Sequence, residues 1–159
     1  MNLITEANEK QLFEARFVID GPFPNPQGLW NEVKKYTQGK DRRAWILVKD
    51  NQVLGYIECK LNESDLPLGA PSPLQGLETF GHVARIGVRK EERGKGLGKQ
   101  LLKEAELWLQ SQGKSGVWLD YLADNMSAEI LYSHCGYQDI SSFKDGDKDR
   151  IRKIAVKKW

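Results

Sequence analysis

Arg93-Gly94-Lys95-Gly96-Leu97-Gly98-Lys99 sets three glycines in five positions, between His82 to Arg89 (HVARIGVR) and a run in which Leu97, Leu101, Leu102, Ala105, Trp108 and Leu109 recur every three or four residues. The first flank reads as a strand and the second as an amphipathic helix that Gly113 closes. Glycines at such a junction let the backbone approach a ligand closely, and successive amide N–H groups converge where the helix dipole is already positive. Between Arg85 and Lys103 seven basic residues (Arg85, Arg89, Lys90, Arg93, Lys95, Lys99, Lys103) face two acids (Glu91, Glu92), a local +5 in a chain whose total is +2. A phosphate or pyrophosphate is the natural guest of this turn. The plainer alternative is a tight strand-to-helix turn carrying a solvated charge run.

Two familiar phosphate loops do not fit. A Walker A loop needs GxxxxGK followed by Ser or Thr to hold magnesium, whereas Lys99 is followed by Gln100 and has no glycine at the upstream spacing. A dinucleotide fingerprint needs GxGxxG in the first βα unit. Asp120 stands near the place of its acidic partner, but Gly94-x-Gly96-x-Gly98 misses the third spacing and follows three earlier strands.

Working outward, Arg43 to Lys49 (RAWILVK) and Gln52 to Leu61 (QVLGYIECKL) are apolar, β-branched and aromatic, with Asp50-Asn51 between them, and predict a hairpin. Asn2 to Glu6 reads as a short strand. Glu9 to Ile19 places Leu12, Phe13, Ala15, Phe17 and Ile19 in a helical pattern, and Leu29 to Thr37 brings Trp30, Val33 and Tyr36 onto one helical face. The six prolines cluster as Pro22, Pro24, Pro26 and as Pro67, Pro71, Pro73, marking two irregular connections, the second from Asn62 to about Gly81. Downstream, Val117 to Leu122 is a strand and Ser127 to Cys135 a short helix with Gly136 at its C-cap. Asp139 to Phe143 and Ile151 to Lys157 then pair across Asp145-Gly146-Asp147. That order predicts an α/β sandwich, helices on both faces of one central mixed, largely antiparallel sheet.

The chain has 159 residues, the length of one domain at about 150 residues each, so residues 1–159 are expected to form one. With 40% hydrophobic residues it can build a core without disulfides or metal. A net charge of +2 is too small for a uniformly basic nucleic-acid or membrane binder, and outside the basic cluster the balance is −3. Cys59 and Cys135 lie far apart with no CxxC pair, which suits a reducing cytoplasm. Cys59, His82, His134 and Cys135 are the candidate metal ligands, but sequential His134 and Cys135 project about 100° apart on a helix, and no metal is expected. Met1 to Lys10 carries Glu6 and Glu9 without an apolar run, so neither a leader nor an anchor is expected, and no segment approaches the about 18 apolar residues of a membrane span.

Arg93-x-x-Gly96-x-Gly98 resembles the Q/R-x-x-G-x-G/A signature of the GCN5-related N-acetyltransferases, and Ala84-Arg85-Ile86-Gly87-Val88 resembles their fourth strand. Asn125-x-x-Ala128-x-x-Leu131-Tyr132-x-x-x-Gly136-Tyr137 is similar to a second segment of that family, N-x-x-A-x-x-L-Y-x-x-x-G-F, with Tyr in place of the final Phe. The resemblance spans about Arg43 to Trp159 well and residues 1–42 loosely. It implies acetyl-CoA as cosubstrate, its pyrophosphate on the backbone from Arg93 through Gly94, Lys95, Gly96, Leu97 and Gly98 to Lys99, with Lys95, Lys99 or Lys103 available to the outer phosphates. It also implies fourth and fifth strands that splay, with pantetheine bonded to the main chain around Ile86, Gly87 and Val88 and the Ile86 amide polarising the thioester carbonyl.

By the same resemblance Tyr132 is the general acid for the departing thiolate, and Asn125 bonds pantetheine or caps the helix. A half-buried packing aromatic is the plainer reading of Tyr132. His82 falls where histone-modifying members carry a glutamate, which makes it the expected general base, with Glu78 as its rival and water as the third choice. Strand alternation would put His82, Ala84, Ile86 and Val88 on one face. His134 reads as structural, and Cys135 as a buried residue without a catalytic role. The expected partner is a small-molecule or peptide amine, a weak charge argument favouring a cationic one; no nucleic acid or membrane is expected, and a homodimer is an assembly open to the chain. A non-catalytic acyl-CoA sensor of the same fold is the competing class.

Overall fold

The β2 (Arg42–Lys49) and β3 (Gln52–Lys60) hairpin turns on Asp50 and Asn51, both left-handed with φ of 50° and 61°. That is the geometry whose twist matches paired strands, and short polar side chains tolerate it best after glycine. The computed structural model describes residues 2–62, 77–146 and 148–159. Pro67, Pro71, Pro73 and Asp147, on which part of two expected connections rested, lie outside them.

Contacts group the chain into two compact units, one of residues 1–60 with 83–108 and the other of residues 61–82 with 109–159. In the first, β1 (Leu3–Glu6) pairs antiparallel with β2. Helix α1 (Glu9–Asp20) starts at a capping box in which Asn8 accepts from the Gln11 amide and Gln11 accepts from the Asn8 amide. Helix α2 (Pro26–Gln38) is capped by Asn25, which accepts from Gly28 N at 3.1 Å. It therefore begins three residues earlier than expected. Pro26 belongs to the helix because the first turn has no use for the N–H that proline lacks. Leu12, Ala15, Leu29, Val33 and Tyr36 close over Ala44, Ile46 and Tyr56, while Trp30 packs edge-on against Phe13. On the opposite face of β2, Trp45 meets Trp108 of α3 (Leu97–Ser111) at 5.7 Å, so this unit carries helices on both sides.

Among the described residues the sheet has seven strands in the order β1-β2-β3-β4-β5-β7-β6. Strand β4 (Phe80–Val88) starts two residues before the expected strand, ahead of Gly81. It pairs in parallel with β5 (Gly116–Leu122) through Phe80↔Gly116, Gly81↔Val117 and His82↔Trp118, the described extent of that ladder. A parallel pair needs a crossover, which α3 supplies. The other described ladders are antiparallel: β1–β2, β2–β3, β5–β7 and β6–β7, with β6 at Gln138–Lys144 and β7 at Ile151–Lys158. In the second unit Trp118, Phe143 and Ile154 form a core with Phe80 and Val156. Helix α4 (Met126–His134) begins at Asn125 and is followed by left-handed Gly136, φ 88°. Among the described residues no helix is long and apolar enough to cross a membrane.

Candidate active site

At the end of β4 the Arg89 amide donates to Leu54 O (2.9 Å) and its Nε to Val53 O (2.5 Å), tying the chain to β3 before it turns. A 3-10 turn, Lys90–Glu92, follows, and Arg93 reaches back to donate from Nε to Val88 O at 3.3 Å. Gly94 and Gly96 have φ of 81° and 79°, a conformation L side chains rarely adopt, and a Cβ built on either would meet nothing within 4 Å. Backbone shape therefore demands these glycines, and the space above them is open. Gly96 O accepts from Gln100 N at 3.2 Å, so the amides of Leu97, Gly98 and Lys99 precede the first helical bond of α3. Lys99 and Lys103 are exposed. Lys95 instead pairs with Glu92 at 2.8 Å, which holds that carboxyl below its usual range.

Ile86, Gly87 and Val88 are partly buried on the final turns of β4. The expected single face does not hold. Ala84 packs into the α1/α2 core, whereas a Cβ on Gly55 would meet Val88 and Leu101 of α3 at 3.5 and 3.0 Å. A Cβ on Gly87 would lie 2.5 Å from the Tyr56 ring, on the α1 side near Ile19. Two even-numbered residues thus point to opposite faces, and the alternation changes phase between Ala84 and Gly87. A local irregularity of that kind is the usual cause.

Beside Gly87, Tyr56 donates to Asp20, and Glu58 pairs with Arg16 at 3.4 Å, both side chains almost fully buried. Burial pushes the Glu58 carboxyl up to about 7 against the pull of Arg16 and Arg85. An acid whose folded pKa lies above its unfolded value stabilises the fold fully below the unfolded value and loses that contribution as pH rises through the folded one. Stability should therefore fall between pH 4.5 and 7, by about 3 kcal/mol for this group. Urea denaturation across that window should show a shallower slope in Glu58→Gln; an equal slope in both proteins would contradict the assignment.

In the second unit His82 is buried, its ring stacked on Trp118 with centroids 3.9 Å apart. Its Nε2 stands 3.8 Å from Asp120 Oδ1. Glu78, the rival base, is exposed two residues beyond the undescribed segment. Tyr132 is buried, edge-on to Tyr121 at 5.3 Å and tilted against Tyr137 at 5.8 Å. Burial, then the charge of Asp120, then Cys135 raise its phenol above the ordinary value. Asn125 caps α4, its Oδ1 accepting from Ala128 N at 3.1 Å. His134 is exposed, and Cys135 is half-buried rather than buried, because it occupies the cap of the short helix. Among the described residues no three His, Cys, Asp or Glu side chains gather as a metal site. Sequence reasoning missed Asp120 and Arg152, joined at 2.9 Å, and Glu58 with Arg16. Their available signal was a charge inside an apolar strand, Asp120 in VWLDYL and Glu58 in YIECK.

The model of the acetyltransferase (GNAT) family matches residues 10–137. The chain belongs to this family. The GNAT match takes in the glycine turn, Asn125 and Tyr132 and ends at Tyr137. The uncharacterized N-acetyltransferase YobR of Bacillus subtilis (strain 168) is 33% identical over 79 residues, 50% of this chain and 31% of that protein. The chain thus spans about a third of that curated relative's length. An acetyltransferase of the GNAT family from Streptococcus pneumoniae shares the fold at TM-score 0.74 and 19% identity, over 99% of both chains. The PaiA N-acetyltransferase of Thermoplasma acidophilum, solved in complex with coenzyme A, shares it at TM-score 0.70 and 18% identity, over 100% of this chain and 99% of that one.

Proposed function

We propose that this protein is an N-acetyltransferase that moves an acetyl group from acetyl-CoA directly onto a primary amine. The observation that carries the reading is the turn from Arg93 to Lys99, with two left-handed glycines, helix-head amides and open space above them in a GNAT chain. Its amides take the pyrophosphate, and Lys99 and Lys103 serve the outer phosphates, Lys95 being held by Glu92. The coenzyme A complex of the Thermoplasma acidophilum neighbour supports the choice of ligand. Backbone groups of Ile86, Gly87 and Val88 hold pantetheine, with the Ile86 amide donating to the thioester oxygen. Asn125 adds a donor from Nδ2 while its Oδ1 caps α4.

The acceptor nitrogen's lone pair attacks the thioester carbon, the C–S bond breaks, and the electron pair leaves on sulfur. Tyr132 gives its proton to that sulfur, and His82 takes the proton shed by the acceptor nitrogen. The products are an amide and the CoA thiol. The cysteine usage, two residues far apart in sequence with no CxxC pair, supports a cytoplasmic setting.

Incubating acetyl-CoA with a panel of primary amines and measuring free thiol tests the reading. Release that depends on one class of amine is the expected result; acetyl-CoA binding with no release for any amine would instead mark a sensor module. Gly96→Val forces a β-branched side chain into a left-handed position beneath the ligand. Calorimetry should find acetyl-CoA affinity at least about tenfold weaker, or about 1.4 kcal/mol, in a protein that still folds. Unchanged affinity would move the pyrophosphate elsewhere.

A further inference from the structure

His82 lies flat on Trp118, the rings inclined by 28°, and this stack fixes the imidazole plane. Its Nε2 is thereby turned toward Oδ1 of Asp120, 3.8 Å away. The other carboxylate oxygen, Oδ2, accepts from Arg152 Nη1 at 2.9 Å, and Arg152 Nε donates at 3.3 Å to Asp145, which also accepts from Arg150. Asp120 thus sits between an imidazole and a guanidinium, one oxygen for each, with only 16% of its side chain exposed. The same carboxylate also acts on Tyr132 of α4, whose phenol its charge raises.

We propose that Asp120 is a positioning residue for His82, keeping the proton of the neutral imidazole on Nε2 so that Nδ1 is the base. This rests on the proposed role of His82 as general base. When Nδ1 takes the proton from the acceptor nitrogen, the ring becomes an imidazolium, and a carboxylate within about 4–6 Å favours that charged form. A separation of 3.8 Å is too long for a hydrogen bond in the resting protein. Catalytic hydrogen bonds commonly stand long before substrate binds and close in the complex. Arg152 holds the shorter contact and so restrains the carboxylate from moving fully onto His82. The same carboxylate helps keep Tyr132 protonated. One partly buried carboxylate therefore serves both residues, keeping the phenol in its acid form and facing the imidazole.

The competition gives opposite signs to two substitutions. Proton NMR of the two imidazoles, with His134→Ala to assign them, reads the His82 titration directly. Asp120→Asn removes the anion and should lower the His82 midpoint by at least about half a pH unit. Arg152→Gln frees the anion and should raise it. The acidic limb of kcat/KM, which reports the free enzyme, should move in the same two directions, and its plateau should fall at least about tenfold in Asp120→Asn as the tautomer is lost. A His82 midpoint unmoved in both variants overturns the role whatever the base is. A midpoint that shifts while the limb stays put shows that His82 is not the base, and the positioning role falls with that reading. Because the signs differ, failure of either variant to fold leaves the other decisive.

Discussion

Tyr132→Phe is expected to lower kcat about 10²–10⁴-fold, the range for loss of a general acid, while acetyl-CoA affinity stays nearly unchanged. The variant keeps the ring that packs against Tyr121 and Tyr137, so the second unit loses only a hydroxyl. Burial and the Asp120 charge hold the phenol protonated well above neutrality. It can therefore donate to a thiolate as sulfur departs and regain its proton from solvent, and it should add no basic limb to kcat below about pH 10. Pre-steady-state and steady-state rates at neutral pH measure the effect. An unchanged kcat would remove Tyr132 from the mechanism and leave protonation to water.

A comparable loss, about 10²–10⁴-fold, is expected in kcat/KM for His82→Ala. An imidazole there can take the acceptor's proton directly or through one water. Removing it also removes the stack on Trp118, so His82→Gln, which fills more of that space, is the companion variant. Both should lose the acidic limb measured with an acceptor of known amine pKa. Glu78→Ala, at an exposed position, should retain rate and limb together. If Glu78→Ala loses them and the His82 variants do not, the base is Glu78; if none changes, the proton leaves through water.

The parts of the fold that were legible are those decided by neighbours in sequence. The β2–β3 hairpin could be read because alternation and the Asp50-Asn51 turn agree, and α3 because its apolar stripe runs without interruption from Leu97 to Leu109. Asn125 and Tyr132 were legible as a cap and a position seven residues on, along one short helix. Pro26 misled because proline marks both a loop and the first turn of a helix. The change of phase in β4 has no marker of its own: no glycine or proline stands at Arg85 or Ile86, and one slip re-aims every later side chain. The Asp120–His82–Arg152 cluster was out of reach for a different reason. Its members come from β5, β4 and β7, brought together by a crossover and a hairpin that local spacing does not encode.

Titration of acetyl-CoA and, separately, of NAD into the purified protein by calorimetry tests most directly whether the turn from Arg93 to Lys99 is built for a CoA thioester. Saturable binding of acetyl-CoA, at least about tenfold tighter than NAD, is the predicted result. Tighter binding of NAD, or no heat from acetyl-CoA at any concentration reached, would contradict it.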